Sequence, residues 1–254
     1  MTAPAPRYAN QPVQQARQTV EGQRFFDVND GEVLRLVEYL YAHYAARYCL
    51  EIVLLIVLPD AIVCSLNDPE GNASLFFSAA HSAIIRRLNK RLGHHGPMIK
   101  PGAPNIPAIL GPAAELRRLA ELAASSTIAI EPHSKDYPGV IVTPETRKRR
   151  REVERPDDLN PKTYPEEKIT YRIAKPLLLQ HLSWGKIRGA MEVAREEIEA
   201  QNRQERRASG KPYLGSDAPE LADAGIVHED SLAPPRGPRY LGAPEQVEAA
   251  REQE

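Results

Sequence analysis

The chain has 254 residues, 42% of them apolar and 26% charged, with a formal net charge of −1. That content is enough for one sizeable core, and the near-neutral balance excludes a surface that is basic all over, so any polyanion-binding face has to be local. Two cysteines, Cys49 and Cys64, are too few for a disulfide framework or a zinc site and read as buried free thiols of a reducing cytoplasm. There is no apolar run near the roughly 18 residues of a membrane span, and no charged-then-apolar pattern at the N-terminus, so no membrane partner is expected.

Residues 1–12 are Pro/Ala-rich and read as a flexible N-terminus, and Val13 to Phe26 is expected to hold a short first strand. Asp30 suits the N-cap of a helix in which Val33, Leu36, Val37, Leu40, Tyr44 and Tyr48 recur at helical spacing. Ile52 to Leu58 is an unbroken apolar run rich in β-branched residues. It suits a central strand covered on both faces, and Pro59-Asp60 separates it from a second strand beginning at Ala61. Asp68-Pro69-Glu70-Gly71-Asn72 reads as a turn before a second helix, from Ala73 or Ser74 to about Leu92 with a stop at Gly93. This order predicts an α+β fold, a ferredoxin-like antiparallel sheet with helices on one face.

The second helix is amphipathic. Phe77, His81, Ile84, Ile85, Leu88 and Leu92 fall in one arc, with Arg86, Arg87, Lys90 and Arg91 opposite. From Gly71 to Ala114 there is no Asp or Glu, so this face is a candidate for phosphate contact; a solvated face neutralised from elsewhere is the structural alternative. A third helix is expected from Ala113 to about Ser125, exposing Arg117 and Arg118. If all six cations engaged phosphates of a single strand, log affinity would fall with log salt at a slope of about −4.

Residues 131–167 hold few apolar side chains and the run Arg147-Lys148-Arg149-Arg150-Arg151, so they read as a basic linker or an arm over a partner. Lys168 to Ala174 alternates like an edge strand. Gly185 to about Ser209 is a charged helix with a narrow stripe of Ile187, Met191, Ala194 and Ile198, suited to a small surface or a partner helix. After Gly215 the chain is Pro-rich, with nine Asp/Glu against three Arg, and reads as a disordered acidic tail able to screen the basic patch. The expected division is 1–12, a domain over 13–130, a linker over 131–167, a C-terminal strand and helix over 168–215, and a tail over 216–254.

Several stretches occur in a telling order: Arg17 to Phe26 (RQTVEGQRFF), Ala45 to Ile52 (AARYCLEI), the strand pair ending in Asp68 to Asn72, and Arg86 to Gly93 (RRLNKRLG). Tyr137-Pro138-Gly139-Val140, Arg155 to Glu167 (RPDDLNPKTYPEE) and Arg206 to Gly215 (RRASGKPYLG) follow. With these pieces, over roughly residues 12 to 215, the chain resembles the single-tyrosine HUH transposases, in the REP-associated branch of the insertion-sequence transposase family. The resemblance implies a paired-histidine divalent metal site on the second central strand and a nucleophilic tyrosine on the third helix, followed by a polar residue one turn later. It also implies single-stranded or hairpin DNA as ligand, often with a dimeric protein. Here the histidine positions fall on Ala61 and Val63, and the tyrosine and its partner near Ala120 and Ala124. Neither Ala61 nor Val63 can ligate a metal, so no cofactor or metal is expected; with no tyrosine between Tyr48 and Tyr137 to serve as nucleophile, the expectation is DNA binding without strand cleavage. Two alternatives stand beside it. One is a protein-interaction scaffold working through residues 185–209. The other is a nicking enzyme whose chemistry has moved to His81 or to His94 and His95.

Overall fold

The computed structural model describes residues 10–20, 23–99, 108–124, 139–208 and 240–241. Its elements in chain order are β1 (Gln11–Gln18), α1 (Gly31–Arg47), β2 (Glu51–Leu58), β3 (Ala61–Asp68), α2 (Ala73–Leu92), β4 (Ala108–Ile109), α3 (Pro112–Ala123), β5 (Val140–Val142), β6 (Arg150–Glu154), β7 (Lys168–Arg172), α4 (Trp184–Ala208) and β8 (Tyr240–Leu241). The flexible N-terminus expected over 1–12 lies outside the described residues up to residue 9, but its end is corrected: Gln11 and Pro12 pair with Asp68 and Asn67 as the start of β1. The acidic tail expected over 216–254 lies outside the described residues apart from β8, which pairs in parallel with β4.

The fold is α+β. Its main sheet is antiparallel in the order β1-β3-β2-β5. Since β1 and β2 both run antiparallel to β3, β1-α1-β2 is a split βαβ unit with β3 between its strands. A bulge between Ile52 and Leu54 turns Val53 and Leu54 to the same side of the sheet. Asp30 caps α1 by accepting from the Glu32 amide at 2.8 Å. Asp68, at the end of β3, accepts from the Asn72 and Ala73 amides, each at 2.8 Å, and so satisfies the first donors of α2. Gly93 ends α2 at φ 62°, a left-handed position that costs glycine nothing.

The expectation of helices on one face is corrected. α1 and α2 cover one face through Leu36, Leu40, Tyr41, Phe76 and Ile84, packed on Leu55, Val57, Ile62 and Leu66. α3 and α4 cover the other, where Leu119, Leu122, Ile187 and Met191 meet Leu54, Ile56, Ala61 and Val63. The physical reason is that β2 and β3 are apolar on both sides and a single layer would leave one of them wet. Cys64 is buried as expected, whereas Cys49 is exposed in the turn after α1, at φ 57°. Leu92, placed on the apolar arc, is 55% exposed because it lies in the last turn of α2.

The stretch read as a linker is built into the fold over its described part, 139–167. β5 pairs with β2, β6 and β7 form an antiparallel hairpin, and Val153, Leu159 and Tyr164 enter the core. A boundary between 167 and 168 would cut that hairpin in two. It is held to α1 by the buried Glu38, which accepts two bonds from Arg151, at 2.6 and 2.9 Å, and one from the Tyr171 hydroxyl at 2.7 Å. Removing Glu38 strands a half-buried guanidinium and a phenol. Glu38→Ala is therefore expected to cost about 2–3 kcal/mol, and Glu38→Gln less because it keeps an acceptor, in urea unfolding.

Candidate nucleic-acid interface

α2 buries Ala73, Phe76, Phe77, Ala80, His81, Ala83, Ile84 and Leu88 against the first core, which turns Arg86, Arg87 and Lys90 away from the sheet. The four cations expected on this face divide. Arg91 is drawn into an internal cluster, 3.1 Å from Asp158, 3.9 Å from Glu32 and 4.0 Å from Asp30, and so ties the end of α2 to the start of α1. Arg86, Arg87 and Lys90 have no carboxylate within ion-pair distance among the described residues. Lys90 and Arg91 in the last turn also complement the helix dipole, a structural role that Arg86 and Arg87, further from the end, do not share.

The other two expected contacts lie elsewhere. Arg117 and Arg118 sit on α3, on the opposite layer, and both are bonded to Glu121, at 3.3 and 3.1 Å. The Arg118 side chain is only 23% exposed, against the expectation of an exposed residue. One continuous six-cation surface does not form. The free face is three residues of α2.

The positions that the resemblance assigns to catalysis are brought together, and they are dry. Ala61 and Val63 point from β3 into the second core, where Ala120 joins them from α3; all three are fully buried, and Ala124 at the end of that helix is buried as well. Methyl and isopropyl groups offer no lone pair, so these residues do not fit the divalent metal that the resemblance implies, and no step of chemistry is derived through it. Among the described residues there is no group of three or more His, Cys, Asp or Glu able to hold a metal.

Two of the three candidate histidines have structural partners. His81 receives or gives a 2.9 Å bond at the Tyr41 hydroxyl, and burial, helped by the Arg17 charge, lowers its pKa to about 3. His94 bonds Asn89 at 3.1 Å and meets the Phe25 ring edge-on, and His95 is exposed. The α4 stripe offered to a partner helix is used within the chain: Ile187 and Met191 are buried in the second core, with Ala194 and Ile198 packed beside them.

No known family model, curated protein or solved structure matches this chain. Its function is therefore argued from its own residues.

Sequence reasoning missed Glu115. It is fully buried at the start of α3, and its two carboxylate oxygens accept the Leu177 and Leu178 amides at 3.0 and 2.7 Å, capping the short 3-10 turn Leu177–Leu179 before α4. A helical acid followed 62 residues later by Leu-Leu-Leu carries no local signal of this contact. Burial raises its pKa to about 7 although both amide bonds pull it down. A carboxyl raised from 4.5 to about 7 supplies stability that is present below pH 4.5 and lost as pH rises through about 7, on the order of 3 kcal/mol. His81, lowered from 6.5 to about 3, works in the opposite direction: its stability is present above pH 6.5 and lost as pH falls. Between about pH 4.5 and 6.5 the two slopes oppose each other. Thermal unfolding across that range should fall with rising pH in His81→Gln relative to wild type, and rise with pH in Glu115→Gln. Parallel pH profiles for the three proteins would contradict both assignments.

Proposed function

We propose that this is a transposase-like DNA-binding protein that holds single-stranded or hairpin DNA without cleaving it. The carrying observation is the α2 face: Arg86, Arg87 and Lys90 project from a segment free of acids from Gly71 to Ala114, with no carboxylate partner among the described residues. Unneutralised cations on one rigid helix face attract a phosphodiester track and give binding that is strong in low salt and weak in high salt. The buried hydrocarbon at Ala61, Val63 and Ala120 supports the second half of the reading, because binding needs only the outer face of α2 and cleavage needs groups that these positions lack. Three phosphate contacts on α2 in place of four, with Arg117 and Arg118 on another layer, lower this face's own contribution to the salt slope to about −2.

The test is a mobility-shift titration of the full chain against a hairpin oligonucleotide with single-stranded flanks, with magnesium or manganese present. Intact, bound oligonucleotide is the expected result, with affinity lowered roughly five hundredfold at about 50 mM salt in Arg86→Gln/Arg87→Gln/Lys90→Gln, from about 0.7 counterions released per phosphate. Equal affinity in that variant, or a nicked or protein-linked product, would contradict the reading.

A further inference from the structure

A second cationic surface forms where the β6-β7 hairpin meets the start of α4, and it is assembled from residues far apart in sequence. On the hairpin's outward face the far end is neutralised: Lys168 lies 2.9 Å from Glu154 and 3.7 Å from Glu152. At the near end the register sets Arg150 directly opposite Arg172, and both are exposed. Like charges directly opposite each other across a strand pair destabilise it, so this end of the hairpin carries a repulsion that the other end does not.

The neighbourhood adds charge of the same sign. Arg149 lies over the Trp184 ring, 3.7 Å from its centroid, where burial and the nearby Arg188 charge lower its pKa. Arg147 and Lys148 are exposed just before it, and the first turn of α4 has no acid to offset its positive dipole end. Arg151, the fifth member of the basic run, is the exception, turned inward onto Glu38. Among the described residues no carboxylate lies within ion-pair distance of Arg147, Lys148, Arg150, Arg172 or Arg188. The exposed large apolar side chains among the described residues, Leu75, Leu92 and Val193, are on α2 and further along α4, so this corner has no apolar wedge for a lipid surface. α1 packs against both α2 and the hairpin and lies between the two basic regions.

We propose that Arg147, Lys148, Arg150, Arg172 and Arg188 form a second phosphate-binding surface, engaged by the phosphodiester backbone of a nucleic acid independently of the α2 face. The anion supplied in trans relieves the repulsion between Arg150 and Arg172. The ligand class rests on the reading under Proposed function; the place does not, since none of these residues is on α2.

The experiment compares the full chain with Arg150→Gln/Arg172→Gln, with the α2 triple variant and with the two combined. It measures fluorescence anisotropy of a labelled single-stranded oligonucleotide across a salt series, vesicles containing phosphatidylserine, and urea unfolding. The corner variant should flatten the log–log salt slope by about 1.4 and the combined variant by the sum of the two separate changes, at about 0.7 per phosphate. Its unfolding midpoint should equal or exceed that of wild type, because a repulsion has been removed. An unchanged slope in the corner variant while the α2 variant flattens would overturn this proposal alone. Slopes unchanged in both, or no binding by wild type, would overturn it together with the α2 reading. A lowered unfolding midpoint, or charge-dependent capture by vesicles with no oligonucleotide binding, would also overturn the corner as a nucleic-acid surface.

Discussion

The constraint on which the rest of the structure depends is that β2 and β3 are apolar on both faces. Ile52 to Leu58 and Ala61 to Val63 are divided between two cores, and neither set can be left in water. At about 25 cal/mol per Å² of apolar surface, wetting one face of two adjacent strands would cost several kcal/mol, comparable to the whole net stability of an ordinary domain. The second layer, α3 with α4, follows from this, and so does the buried carboxylate of Glu115 that fixes the turn leading into α4.

The same constraint governs the chemistry. A strand whose inward positions are Ala61 and Val63 is complementary to the small side chain of Ala120 on the covering helix. Placing imidazoles there would overfill a close-packed region. Packing and ligation exclude each other at these positions, and this chain has residues for packing.

Much of the first core was legible from local pattern. Asp30 as a cap, the apolar run from Ile52, the Asp68 turn and the stop at Gly93 each declare themselves within a few residues, and the structure has them where the sequence puts them. What was not legible depends on contacts across long stretches of chain. The hairpin that absorbs the presumed linker is pinned by Glu38 to residues more than a hundred positions away, and a run of five basic residues gives no hint that Arg151 turns inward while Arg150 faces out. The surface charge was overcounted for the same reason. Arg91 looks free in a segment without acids, yet Asp30, Glu32 and Asp158 reach it from two other parts of the chain, and Arg118 is claimed by Glu121 within its own helix. A window of sequence records which cations are present, and only the fold records which are spent.

The central claim is that the outer side of β3 is a sealed core and not an open site. Thiol labelling under native conditions measures this directly, because the chain carries its own standards, exposed Cys49 and buried Cys64. An Ala61→Cys variant places a third thiol on the face covered by α3 and α4. The account predicts that Cys49 reacts freely, while Cys64 and the new thiol react no faster than the protein unfolds. Reaction of the introduced thiol at the rate of Cys49 would contradict it, since that face would then be open to solvent and to substrate.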